Sequence, residues 1–91
     1  MANLGKAFKA LADGTRRRIL ELLKDGDMNA GQIAEQFKMS KPSISHHLSI
    51  LKDAEFVQER REGQNIIYTI VPENIHECWI GYLGKLCFKG K

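Results

Sequence analysis

Residues 40–53 read S-K-P-S-I-S-H-H-L-S-I-L-K-D, and this stretch decides the fold. Ser40 is a good helix N-cap, and Pro42 falls in the first turn, where its missing N–H costs nothing. Ile44, Leu48 and Leu51 stand at i, i+4 and i+7 and make one narrow apolar stripe. The opposite side carries Ser43, Ser45, His46 and Ser49, all short, polar and uncharged. A helix face turned to solvent is usually written in Glu and Lys, which favour helix and solubility. Ser and His suit close approach to another polar surface, and the edge of a base pair is one. The competing reading is a plain surface helix of poor propensity. The flanking residues tip the balance.

Upstream, Asn29-Ala30-Gly31-Gln32 has capping-box spacing, with Asn29 as cap and Gln32 reaching back. A short helix over about Ala30 to Phe37 then puts Ile33, Ala34 and Phe37 on one face. Lys38-Met39-Ser40 is a tight turn into the opening stretch. Two short helices joined by three residues, the second with a polar outer face, predict a helix-turn-helix over about 30–53. Downstream the period changes. Val57 to Arg61 and Ile66 to Val71 are rich in β-branched and aromatic residues, and Glu62-Gly63-Gln64-Asn65 separates them. That predicts a β-hairpin, a wing over about 56–71, with Arg60 and Arg61 beside its tip. Pro72 ends the second strand, because it cannot donate to a ladder.

The outer segments are helical. Leu4, Phe8 and Leu11 recur at helical spacing in residues 3–12. Asp13-Gly14-Thr15 breaks that helix, and either Asp13 or Thr15 can cap the next. The second helix is expected over about Arg16 to Lys24, buried through Ile19, Leu20, Leu22 and Leu23, with Gly26 as its C-terminal cap. The last, over about Glu73 to Phe88, carries Ile75, Trp79, Tyr82, Leu83 and Leu86. Its aromatic face needs a cover, either a second subunit or the chain's own core; the dimer is the favoured reading. The fold class is therefore mainly α with a two-stranded β-hairpin. It is a winged helix-turn-helix of five helices, the wing between helices four and five, in one domain spanning 1–91.

Composition bounds the function. A hydrophobic fraction of 43% is globular rather than disordered, and no run of 18 apolar residues spans a membrane. The start, M-A-N-L-G-K-A-F-K, lacks the apolar core of a signal peptide, so the expectation is a cytoplasmic protein with reduced thiols. Net charge is +3, mildly basic and compatible with nucleic acid. Residues 1–24 carry six Lys and Arg against two acids, and residues 25–37 carry three acids and no Lys or Arg. A positive face must come from arrangement in the fold. No phosphate loop, G-x-S-x-G or H-E-x-x-H is present, so no enzyme is expected.

Three segments together resemble the ArsR family of bacterial winged-helix repressors: F-K-A-L-A-D-G-T-R-R-R-I-L-E-L-L (8–23), I-A-E-Q-F-K-M-S-K-P-S-I-S-H-H-L-S-I-L-K-D-A (33–54) and R-R-E-G-Q-N-I-I-Y-T-I (60–70). Within it, G-D-M-N-A-G-Q-I-A and S-K-P-S-I-S-H-H-L look like the SdpR-type autorepressor branch. The family's usual D-P-T-R is D-G-T-R here, with Gly14 in place of a helix-starting proline. The resemblance implies a homodimer built from the first and last helices, through Leu4, Phe8, Trp79, Tyr82, Leu83 and Leu86. It implies an inverted-repeat operator in double-stranded DNA, with helix four in the major groove and the wing along the backbone or minor groove. Carried over by position, Ser43, Ser45 and His46 are the candidate base or phosphate readers, and Lys41 and Ser49 on the helix with Arg60, Arg61 and Gln64 on the wing complete the expected DNA-binding set. His47 lies nearer the core edge and is read as structural. Arg16, Arg17 and Arg18 can touch phosphate, though for at least two of them ordinary solvated charge is the expectation.

Many family members sense metals through cysteines at the start of helix three or His, Asp and Glu sets on the last helix. Here Asp27 to Ala34 has no Cys or His, and the cluster His76-Glu77-Cys78 has no second set a turn later. No metal, cofactor or small-molecule ligand is expected. A thiol switch at Cys78 or Cys87 stays open, as does a metal-responsive repressor of this fold, or a winged-helix protein-interaction module that does not use DNA. The branch resemblance implies release by a sequestering protein at the membrane, and repression of the chain's own or a neighbouring operon. An inverted repeat just upstream of the coding region would support both function and autoregulation.

Overall fold

The computed structural model describes residues 4–78. The elements run α1 (Leu4–Ala12), α2 (Gly14–Leu23), β1 (Met28–Asn29), α3 (Ala30–Phe37), α4 (Lys41–Asp53), β2 (Val57–Glu62), β3 (Asn65–Ile70) and α5 (Pro72–Cys78).

Local chemistry sets the boundaries of α3 and α4. Asn29 Oδ1 accepts from the Gln32 backbone N–H at 2.8 Å, and Gln32 Oε1 accepts from the Asn29 N–H at 2.9 Å, so the expected capping box is formed. Ser40 caps α4 by accepting from the Ser43 backbone N–H at 3.2 Å. Both helices end alike. Lys38 and Glu55 take left-handed backbone conformations, φ 55° and 64°. Behind them Met39 N–H reaches Ala34 O at 3.1 Å and Phe56 N–H reaches Leu51 O at 3.0 Å, closing each last turn with a six-to-one hydrogen bond. The second closure also drives the fully buried Phe56 ring into the core.

Three expectations are corrected. Helix two spans Gly14–Leu23, not about Arg16 to Lys24, because Asp13 is its cap and accepts from Arg16 N–H at 3.1 Å; Gly14 and Thr15 then form the first turn. The C-cap is Lys24 rather than Gly26, which lies in the turn beyond it. The hairpin gains a partner: β1 pairs antiparallel with β3 (Met28 opposite Tyr68, Asn29 opposite Ile67), giving a three-stranded sheet in the order β1-β3-β2. The hairpin itself runs in register from Val57 opposite Ile70 to Glu62 opposite Asn65, with Gly63 at φ 62° in the turn.

The core is one cluster. Ile19, Leu23, Ile33, Ile44, Leu48, Leu51, Phe56 and Val57 are its largest fully buried side chains. The stripe of α4 thus faces inward as expected. Trp79, Tyr82, Leu83 and Leu86 lie outside the described residues, as does Cys87. Among the described residues no helix is long and apolar enough to cross a membrane.

Candidate nucleic-acid interface

Burying one side of α4 leaves the other in solvent. Lys41, Ser43, Ser45, His46 and Ser49 are all exposed. Ser43 is tied at the cap, where its Oγ accepts from Ser40 Oγ at 3.0 Å. Ser45, His46 and Ser49 present donors and acceptors outward.

His47 points the other way, half-buried toward the α1–α2 junction. Its Nδ1 lies 3.1 Å from Arg16 Nη1 and 4.0 Å from Asp13 Oδ2. Arg16 is the correction in the arginine run. It is not at the surface but only 9% exposed, the one buried charged side chain among the described residues. Its Nε donates to Ala10 O at 3.0 Å and its Nη2 to Lys9 O at 2.7 Å, so it closes the C-terminus of α1. Arg17 and Arg18 are exposed; Arg17 donates to Leu11 O, and the Arg18 guanidinium sits 5.2 Å from the centroid of the Phe37 ring. The Arg16 backbone N–H, above other causes, holds the Asp13 carboxyl below its usual range.

The wing stands beside α4. Lys52 of α4 meets Glu59 of β2 at 3.1 Å, and Tyr68, half-buried across from Glu59, has its phenol pushed up chiefly by burial. Lys41 and Ser45 from α4, Gln64 from the turn, and Asn65, Ile66 and Tyr68 from β3 line one cleft of about 240 Å³ with Asn29, Ala30 and Gly31. Three of the residues singled out by sequence, Lys41, Ser45 and Gln64, therefore share one concave surface. Tyr68 and Asn65 belong to it too and were not singled out. For Tyr68 the available signal was strand alternation, which puts Ile66, Tyr68 and Ile70 on one face; for Asn65, at the turn end of the strand, alternation gave none.

Arg60 and Arg61 part company. Arg61 is exposed with no ion pair among the described residues. Arg60 Nη1 meets Asp27 Oδ2 at 2.9 Å, and its Nε meets Glu62 Oε2 at 2.9 Å. The contact with Asp27, then a hydrogen bond from Thr69, holds the Asp27 carboxyl below its usual range. Among the described residues no group of three or more His, Cys, Asp or Glu side chains is placed to hold a metal ion. The side chains of His76, Glu77 and Cys78 lie outside that description.

Residues 13–59 match the bacterial regulatory protein arsR family. The chain is 60% identical over 67 residues to the transcriptional repressor SdpR of Bacillus subtilis (strain 168), covering 74% of each protein. It is 40% identical over 70 residues to an HTH-type transcriptional regulator of Mycobacterium tuberculosis, covering 77% of this chain and 65% of that one. Among solved structures, an ArsR-like transcriptional regulator from Rhodococcus sp. RHA1 superposes with a TM-score of 0.77 at 28% identity, over 86% of this chain and 74% of that one.

Proposed function

The chain belongs to the ArsR family of bacterial regulatory proteins, and from that premise we propose that it is a DNA-binding transcriptional repressor that reads an inverted-repeat operator as a homodimer. The observation that carries the reading is the exposed polar face of α4 standing next to the wing across a shared cleft. Lys41 and Ser49 flank the readers, and Ser43, Ser45 and His46 meet base edges in the major groove. Gln64 and Arg61 bring the wing to the backbone or minor groove. This division follows from chemistry: neutral donors and acceptors discriminate bases, and cations neutralise phosphates of any sequence.

The dimer reading rests on α1, where Leu4 and Phe8 are large apolar residues 43% and 39% exposed, and on the aromatic sequence of the last segment. Two copies would set their α4 helices about 34 Å apart, one turn of DNA. Trp79→Ala should weaken dimer and DNA binding together, and sedimentation showing a stable monomer at micromolar concentration would refute the dimer. Release by a sequestering protein is carried by the likeness to the SdpR branch, and the sparse ligand set of the sequence argues against a metal. Stoichiometric Zn²⁺ should leave operator affinity unchanged, and a tenfold loss would overturn that.

The test of function is an anisotropy titration of DNA from upstream of the coding region against a scrambled duplex at several salt concentrations. Repressor binding predicts preference for the upstream DNA and a steep fall of affinity with salt. A protein-docking module would show neither.

A further inference from the structure

Adjacent residues of a strand point to opposite faces of the sheet. Arg60 and Arg61 are adjacent on β2, so one surface cannot receive both. The register says which is which. Val57, Glu59 and Arg61 stand opposite Ile70, Tyr68 and Ile66. On that face Val57 is buried in the core and Glu59 meets Lys52 of α4 at 3.1 Å. Ile66 and Tyr68 line the cleft shared with Lys41 and Ser45. Arg61 is therefore on the α4 side. Gln58, Arg60 and Glu62 stand opposite Thr69, Ile67 and Asn65 on the reverse face.

On the reverse face Arg60 is fully engaged. Asp27, immediately before β1, takes its Nη1 at 2.9 Å, and Glu62 takes its Nε at 2.9 Å. Thr69 holds Asp27 from the same face of β3. A cation between two carboxylates has little charge left for a phosphate. Swinging it to DNA would also leave Asp27 and Glu62 uncompensated beside a polyanion. The pair spans 33 residues and ties the wing to the loop that leads into β1 and α3. That loop is the base of the helix-turn-helix.

We infer that Arg60 is a positioning residue rather than a DNA contact: with Asp27 it clamps the wing to the base of the helix-turn-helix, and Arg61 is the wing cation that meets phosphate. The inference rests on the DNA-binding reading above.

The test uses the whole protein and labelled DNA from upstream of its coding region as operator, with affinity measured by anisotropy between roughly 50 and 200 mM salt. Arg61→Ala should lower the slope of log affinity against log salt by about one unit, the share of a single phosphate. Arg60→Ala should leave that slope unchanged and cost about threefold in affinity, the scale of one exposed ion pair. Arg60→Asp should bind more weakly still. Combining it with Asp27→Arg, which conserves net charge and rebuilds the pair in reverse, should recover most of the wild-type affinity. A slope lowered by a full unit in Arg60→Ala, or a swap no better than Arg60→Asp alone, overturns the inference. A wild-type protein that binds operator and scrambled duplex alike, with no salt dependence, overturns the DNA-binding reading itself and the inference with it.

Discussion

Arg16→Ala should destabilise the fold by about 3 kcal/mol, and the figure follows from what the guanidinium touches. It donates to Ala10 O at 3.0 Å and Lys9 O at 2.7 Å, and lies 3.1 Å from His47 Nδ1. Hydrogen bonds from a charged donor contribute about 1.5–3 kcal/mol each. Three at face value would sum to about 4.5–9 kcal/mol, comparable to the whole stability of many small domains, roughly 5–15 kcal/mol. Two effects bring the sum down. Holding a charge at 9% exposure already costs several kcal/mol, which the alanine no longer bears. Water can also reach Lys9, which is exposed. What remains is the loss of a donor to the carbonyl of fully buried Ala10 and to a half-buried imidazole. Each buried acceptor left unsatisfied costs about 1–3 kcal/mol, so the two together come to about 3 kcal/mol. Urea unfolding should show the midpoint falling by more than about 1 M at unchanged slope. Arg17→Ala, which removes only a solvent-exposed hydrogen bond to Leu11 O, should cost less than about 1 kcal/mol. Equal effects of the two alanines, or a loss below about 1 kcal/mol for Arg16→Ala, would refute the claim that this side chain joins α1 to α4.

Three further expectations follow from the same structure. Leu48→Ala, at a fully buried position of α4, should cost about 2–5 kcal/mol in urea unfolding, and a cost under about 1 would place α4 wrongly in the core. Glu55→Gly should stabilise by up to about 1 kcal/mol, because φ 64° is strained for any side chain and free for glycine; a loss of stability would show that the side chain contributes something the backbone does not reveal. Asp13 and Asp27 are held below the usual carboxylate range, chiefly by the Arg16 backbone N–H and the Arg60 guanidinium, so their ionised forms favour the fold. That contribution is complete above the ordinary value near 3.8 and disappears as pH falls through the lower folded values. The urea midpoint should therefore drop below about pH 4, and drop less in an Asp13→Asn, Asp27→Asn double variant; an identical drop in both proteins would deny these two groups a role.

How much of this was legible depended on how local the signal is. The Asn29–Gln32 capping box, the Ser40 cap and the inward stripe Ile44, Leu48, Leu51 were readable because each is contained within one turn or one helix face. Strand β1 was not. Met28–Asn29 is two residues long, too short for any period, and is a strand only because Tyr68 and Ile67 lie across from it. The start of α2 defied its local propensity: Gly14 is a poor helix former, and the Asp13 cap outweighs it. The burial of Arg16 is legible in principle. It stands at i with Ile19, Leu20 and Leu23 at i+3, i+4 and i+7, on the stripe that is buried, but three arginines in a row read as surface. The same holds for Arg60 and Arg61, which period-two alternation alone separates; what occupies each face, Asp27 on one and the α4 cleft on the other, is tertiary.

The central claim is that the exposed face of α4 chooses the sequence. The most direct measurement is the affinity of wild type and of a Ser43→Ala, Ser45→Ala, His46→Ala variant for operator and for scrambled DNA at one salt concentration. The wild type should favour the operator by about 10³-fold or more. In the variant that preference should collapse, by about 1–3 kcal/mol for each base-reading side chain removed, while affinity for scrambled DNA stays put. A variant that loses affinity for both duplexes equally, and keeps the wild-type preference, would contradict the account.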